Sequence, residues 1–106
     1  MPKYLFQLSY STEGFKAVLK DGGTKRRELT EQFMKELGGS VEAYYFAFGD
    51  DDVYIIADVP SNVAAAAASV SVNAGGVVKA KTTVLLAPEE IDQATKMTDN
   101  SSPPGQ

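Results

Sequence analysis

The chain has 106 residues, 43% of them hydrophobic, and a formal net charge of −4 with only 10 lysines and arginines. This length and composition suit one globular domain, and the acidic balance argues against a nucleic-acid partner. Because the sequence contains no cysteine and no histidine, disulfides, thiolate or imidazole metal sites and Ser-His-Asp catalysis are excluded.

The N-terminal part of the chain predicts one strand followed by two helical stretches. Residues 3–10, KYLFQLSY, place apolar and polar side chains on alternating parities, which predicts a β-strand. Ser11 or Thr12 is suited to cap the first helical stretch, which the glycine pair at 22–23 interrupts. The second stretch covers about residues 24–37, and another glycine pair stops it.

The rest of the chain predicts three more strands and two more helices. Strands are predicted over 41–48 and 53–59, on both sides of a short turn. An alanine-rich helix, NVAAAAASVSVNA, follows, and its alanines permit close helix–sheet packing or leave room for a ligand. A fourth strand is predicted over 77–86, and a short helix with proline at its first position over 88–97.

The order β-α-β-β-α-β, with one extra helix, is the signature of an α+β ferredoxin-like fold. It predicts a four-stranded antiparallel sheet with the first and third strands in the middle and both long helices on one face. We expect a single domain over residues 1–97 and a disordered C-terminal tail over residues 98–106, whose composition is TDNSSPPGQ.

The connection Gly49-Asp50-Asp51-Asp52 has two interpretations, a divalent-cation site or a hairpin turn. A calcium loop needs alternating ligands and a distal glutamate, so the turn is favoured. Asp58 cannot join Asp52 at one ion, because six residues of strand separate them by roughly 20 Å. We therefore expect no metal, and we expect Asp52 to accept backbone N–H bonds at the turn.

The strands predicted to be central are apolar on both faces. In the third strand, Val53, Ile55, Ala57 and Val59 share one parity, while Tyr54 and Ile56 lie on the other. Helices can cover only one face in this topology, and a large exposed apolar face marks an interaction surface. We therefore expect a homodimer through the sheet faces, or a larger assembly built on it.

Three segments carry a resemblance to a known family: YLFQLSYSTEGFKAVLKDGGTKRRE, LGGSVEAYYFAFGDDDVYIIADVP and AAAAASVSVNAGGVVKAKTTVLLAPEE. Together they make nearly all of residues 4–90 similar to the GYD domain family. The family turn usually reads Gly-x-Tyr-Asp, so Gly49 and Asp52 match it, and Asp51 stands at the position of the aromatic residue.

The resemblance implies a dimeric α+β barrel, in which two ferredoxin-like sheets pair. It implies no established activity, since proteins of similar architecture include cofactor-free monooxygenases, haem enzymes, isomerases and small-molecule sensors. The fold does not choose among these functions.

Two segments and three further residues, Tyr10, Tyr54 and Asp58, hold the candidate site residues. Arg26 and Arg27 follow a glycine pair, where a helix start and guanidinium groups suit an anion, or they are a solvated helix face. The run AYYFAF suits an apolar ligand pocket, or core and interface packing. The candidate ligand-binding residues are Tyr10, Arg26, Arg27, Tyr45, Tyr54 and Asp58.

Three functions are compatible with these residues. The first is a homodimeric small-molecule-binding or sensing module whose cavity exceeds about 300 Å³ and takes an apolar or anionic ligand. The second is a cofactor-independent oxygenase or isomerase that uses Tyr45, Tyr54 or Asp58 on a small aromatic substrate. The third is an assembly protein.

We expect no cofactor and no membrane contact, since no segment has the length of a membrane span or the character of a signal peptide, and we expect a cytoplasmic location.

Overall fold

A computed structural model describes residues 1–99 and 102–105 of the chain. The order of its elements is the predicted one: β1 (Lys3–Tyr10), α1 (Thr12–Glu36), β2 (Ser40–Phe46), β3 (Val53–Asp58), α2 (Asn62–Gly75), β4 (Val78–Leu85) and α3 (Pro88–Met97). The tail predicted to be disordered, 98–106, includes residues 100, 101 and 106, which lie outside the described residues. The disorder of this tail stays a prediction.

The four strands form one antiparallel sheet in the order β2-β3-β1-β4, so β1 and β3 are central. This confirms the predicted α+β ferredoxin-like fold. The register aligns Phe6 with Ile55 on β3 and with Thr82 on β4. One irregularity, a shift between Val41 and Ala43 on β2, displaces the alternation of side chains along that strand.

The boundaries of α1 follow from capping and glycine chemistry. The Ser11 hydroxyl accepts a first-turn N–H at 3.1 Å, which stabilises the helix start. Gly22 has a φ of 78°, which side chains other than glycine rarely adopt, and it breaks the helix as the sequence predicts. At the C-terminus Gly38 has a φ of 83°, and the Gly39 N–H donates to the Met34 carbonyl at 2.8 Å. This pair of glycines therefore ends α1 in a Schellman motif.

The core lies between one face of the sheet, the inner face, and the two long helices. Alternate residues of β1 and β3 point inward, as their sequence parity predicts. Met34 of α1 and two alanines of α2 pack against them. The buried core side chains are Tyr4, Phe6, Met34, Val53, Ile55, Ala57, Val59, Ala65 and Ala68. Their burial supplies the main driving force for this fold.

The exposed edge of β4 is occupied by a side chain of α2. The Asn73 amide donates to the Ala80 carbonyl at 3.2 Å, and the Ala80 N–H donates to the Asn73 Oδ1 at 2.9 Å. The Asn73 amide thus pairs with the backbone carbonyl and N–H that another strand would bind, which hinders unwanted edge pairing.

The connection between β2 and β3 is tied to the central strand. The Asp52 N–H donates to the Leu8 carbonyl, and the Asp52 carboxylate accepts the Tyr10 N–H, both at 2.8 Å. The donor for the Asp52 side chain is thus on β1 rather than within the turn that contains Gly49. Within residues 1–99 and 102–105, no three metal-ligating side chains cluster closely enough to hold an ion.

The other face of the sheet, the outer face, is not covered by α1 or α2. At its centre Leu5 pairs with Ile56, and Tyr54 pairs with Tyr45, whose side chain is 72% exposed. One end of this face is charged: the Lys3 ammonium lies 3.0 Å from Asp58 and 3.1 Å from Glu42. The outer face therefore combines an apolar centre with a charged rim.

The terminal helix α3 begins at Pro88, and the Glu90 carboxylate accepts the Ala87 N–H at 2.9 Å. These are the start signals that the sequence predicts. The helix buries none of its residues. None of the helices within the described part of the chain combines the length and apolar character needed to cross a bilayer.

Candidate functional site

A partly enclosed cavity lies between the two long helices and the inner face of the sheet. Its volume is about 110 Å³. Apolar side chains form most of its wall, and among the described residues that line it only Arg26 is charged. The lining residues are Phe6, Leu8, Tyr10, Arg26, Thr30, Phe33, Met34, Tyr44, Ile55, Ala68, Val72, Val78 and Ala80.

Small side chains account for the space in this region. Ala68 of α2 and Ala80 of β4 line the cavity where larger residues would fill it. One alanine of the alanine-rich helix thus leaves room between helix and sheet, which is one of the two roles the sequence allowed. The cavity is smaller than the expected 300 Å³, and it compares with an engineered cavity of about 150 Å³ that holds benzene. It suits a ligand, or part of one, with only a few heavy atoms.

The Arg26 guanidinium is incompletely satisfied in its place at the cavity wall. Its Nη1 lies 3.5 Å from the Asp21 carboxylate, a long ion pair that spans the break at Gly22. Its Nε is buried and has no hydrogen-bond partner among the described residues. A buried donor without a partner costs about 1–3 kcal/mol. Such a group calls for an explanation, because buried polar groups in folded proteins are nearly always paired.

Tyr44 adds a hydroxyl to the same cavity. Burial, followed by the neighbouring Tyr10 hydroxyl, raises the pKa of Tyr44 far above its ordinary value, while Thr30 and Arg26 oppose this shift. The Tyr44 hydroxyl is protonated at physiological pH, as that of an ordinary tyrosine is, and can donate one hydrogen bond. Tyr10, Thr30 and Tyr44 together bring three hydroxyls to an otherwise apolar wall.

The irregularity in β2 decides which tyrosine reaches the cavity. Val41 pairs with Ala57 on the inner face, so strict alternation would turn Tyr45 inward as well. The register shift after Val41 reverses the alternation, so Tyr44 is aligned with Ile55 and faces inward. No residue type in the sequence indicates this shift. Tyr44 belongs to the aromatic run predicted to line a pocket or to pack in the core and interface, but Tyr45 was the tyrosine selected from that run.

The structure separates the candidate residues into three places. Tyr10 and Arg26 line the cavity together. Arg27, the next residue along α1, is exposed. The other three lie on the outer face: Tyr45 opposite Tyr54, and Asp58 at the charged end beside Lys3.

A second polar cluster, around Asp51, was missed by sequence reasoning. Asp51 is only 3% exposed. Its carboxylate accepts hydrogen bonds from Gln7 at 2.9 Å and Ser9 at 3.0 Å, and it pairs with the Lys81 ammonium at 3.1 Å. Gln7 and Ser9 alternate with apolar residues along β1, and this alternation could have indicated a polar cluster on the outer face. The pairing of β1 with β4, which places Lys81 opposite Gln7, could not be predicted from the sequence.

Asp51→Asn is expected to lower the melting temperature at neutral pH. The hydrogen bond from Lys81, followed by those from Ser9 and Gln7, holds the pKa of Asp51 below its ordinary value against the opposing effect of burial. A carboxyl group whose pKa is lower in the folded than in the unfolded protein stabilises the fold when the pH is above its unfolded-state pKa of about 3.9. This stabilisation is lost as the pH falls through the folded-state pKa. Thermal melts of both proteins should therefore differ at pH 7 and converge below about pH 4.

Asp50→Asn is the matched control, because it removes the same charge from an exposed neighbour. Its melting curve should follow that of the wild type at both pH values. A difference between wild type and Asp51→Asn that stays constant across the pH range would show that the carboxylate charge is not what stabilises this cluster.

Comparisons with known proteins give one match. The model of a family described as GYD domain matches residues 4–95. No curated protein and no solved structure gives a significant match. The matched range contains the cavity residues, the Asp51 cluster and the outer face except for Lys3.

Proposed function

The chain belongs to the GYD domain family, and from that premise we propose that it is a homodimeric small-molecule-binding or sensing module. In this proposal each chain holds its ligand in the cavity between the helices and the sheet, and two chains meet through their outer faces. The ligand site lies on the side of the sheet opposite the dimer interface.

The observation that carries the binding proposal is the composition of the cavity wall. Binding sites for small molecules combine apolar walls with a few converging polar groups. Here the converging groups are the Arg26 guanidinium and the hydroxyls of Tyr10, Thr30 and Tyr44. The ion pair of this guanidinium with Asp21 is long, at 3.5 Å, so N–H donors remain for a ligand.

The dimer proposal is supported by the outer face. Leu5 and Ile56 pair at its centre, Tyr45 is largely exposed, and neither long helix covers them. A second copy related by a two-fold axis would bury this apolar centre and leave the Lys3–Asp58 rim in contact with water.

We propose binding rather than catalysis because of where the polar residues lie. The enzyme hypothesis relied on Tyr45, Tyr54 and Asp58, and all three are on the outer face, away from the cavity. The groups within the cavity are a permanent cation and hydroxyls, which orient a ligand well but are weak general bases.

Ala80→Val is expected to fill part of the cavity. The additional methyl groups would enter space that Ala80 now leaves open, so the free energy of unfolding should rise by about 0.5–1 kcal/mol. The same variant should lose a small molecule that the wild type retains when purified from its source. Urea denaturation measures the first effect and native mass spectrometry the second.

Thr82→Val is the control, since it places the same side chain on β4 at a position that does not line the cavity. It should leave ligand retention unchanged. If Ala80→Val retained the same bound mass as the wild type, the ligand would not occupy this cavity and the proposed function would be wrong.

A further inference from the structure

We propose that the cavity selects a small carboxylate with a short apolar body, bound by the Arg26 guanidinium. This inference rests on the proposed function and goes beyond it by naming the class of ligand. Under this proposal, a neutral molecule of the same shape binds with lower affinity than the carboxylate.

The first argument is the isolation of the charge. Arg26 is the single charged residue among apolar and hydroxyl-bearing lining residues. A cation beside an apolar wall is poorly solvated, and an anion compensates it better than a neutral polar group does. The wall itself offers no carboxylate, so the compensating charge has to come from a ligand or from Asp21.

The second argument is the part of the guanidinium that Asp21 leaves open. Asp21 contacts Nη1 at 3.5 Å, which is too long for a strong charge-assisted hydrogen bond. The Nε atom is buried and has no acceptor among the described residues, so it takes no part in this ion pair. Carboxylates bind guanidinium groups through two parallel N–H···O bonds, and one long contact with Asp21 leaves guanidinium N–H groups for such a pair.

The third argument concerns the size and the remaining polar groups. A volume of about 110 Å³ admits an acid with a short hydrocarbon chain and excludes large aromatic acids. The Tyr44 hydroxyl lines the same cavity and can donate to the second oxygen of the carboxylate. Phe6, Met34 and Ile55 provide the apolar surface for the chain of the ligand.

Butyrate and butyramide are suitable probes, because they have the same number of heavy atoms and differ in charge. Met34 lines the cavity and is 3% exposed, whereas the other two methionines, Met1 and Met97, are 67% and 83% exposed. Spectra of protein labelled with ¹³C at the methionine methyl groups therefore contain one reporter in the cavity and two on the surface. Each probe is titrated into the millimolar range while the three signals are followed.

We expect butyrate to shift the Met34 signal and to bind about tenfold or more tightly than butyramide. Arg26→Leu should remove this preference, and Arg26→Lys, which keeps the charge without the paired N–H groups, should retain only part of it. Arg27→Leu, which removes the same charge from the exposed neighbouring position, should retain the full preference.

Failure of this inference can be told from failure of the proposed function. If butyrate and butyramide shift Met34 with equal affinity, the cavity binds small molecules but does not select carboxylates, and only the present inference is wrong. If neither probe shifts Met34, the present inference is wrong, and loss or retention of the bound mass in Ala80→Val decides separately whether the proposed function holds. The thermal stability of Arg26→Leu provides a second measurement: removal of a guanidinium with a structural role would lower it, whereas removal of one that serves a ligand would leave it equal or higher.

Discussion

Ile56→Asp is expected to convert the dimer into a monomer. Ile56 lies at the centre of the outer face, opposite Leu5 on β1 and Ala43 on β2. In a two-fold interface the substitution places two carboxylates in an apolar contact, and an unpaired buried charge costs about 3 kcal/mol or more. Sedimentation velocity at micromolar protein should show the mass of one chain, while circular dichroism should still show a folded protein.

Val63→Asp is the matched control for this substitution. Val63 is 80% exposed on α2, outside the proposed interface, so the same kind of substitution is made at an apolar side chain that stays in contact with water in the dimer. This variant should remain a dimer. If Val63→Asp dissociated the protein and Ile56→Asp did not, the interface would involve the helices rather than the sheet.

Ile55→Ala is expected to destabilise the fold of each chain. Its side chain is 2% exposed and packs in the core on the inner face, next to the position that Ile56 occupies on the outer face. Truncation of a buried isoleucine to alanine costs about 2–5 kcal/mol, a large share of the 5–15 kcal/mol that typically holds a domain together. Urea denaturation should show this loss as a lower midpoint with an unchanged slope.

Ile56→Ala provides the comparison for this experiment. It removes the same atoms from the adjacent residue, and in dilute protein, where chains are separate, it should cost much less than Ile55→Ala. Equal losses from the two substitutions at low protein concentration would contradict the assignment of the inner and outer faces.

The fold could be predicted from the sequence because each local signal agrees with the global one. Alternation in β1 and β3, the serine cap at Ser11 and the glycines after α1 and α2 all define the same elements. Gly22 shows this most clearly, since its positive φ breaks α1 where the glycine pair predicts an interruption. These signals act over a few residues, and for this reason they can be read without the tertiary structure.

The candidate site could be predicted only in part, because it depends on register and on packing. Arg26 was identified from its position after the glycines, but the absence of a partner for its Nε depends on neighbours far along the chain. The choice between Tyr44 and Tyr45 depends on the shift in β2, which no residue type indicates. Asp51 was assigned to a turn, whereas strand pairing gives it three donors.

The size of the cavity was overestimated for a related reason. The alanines of α2 suggested space along the helix, but Ala65 packs in the core and only Ala68 lines the cavity. Small residues allow a helix to approach the sheet closely, and this approach closes most of the space that they would otherwise leave.

The central claim is that two chains pair through their outer faces and that each holds a small molecule. Native mass spectrometry of the unmodified chain, purified from its source, measures copy number and bound mass together. We predict a particle of twice the 11.3 kDa chain mass that carries a low-mass ligand on each chain. A bare single chain at micromolar protein concentration would contradict this account.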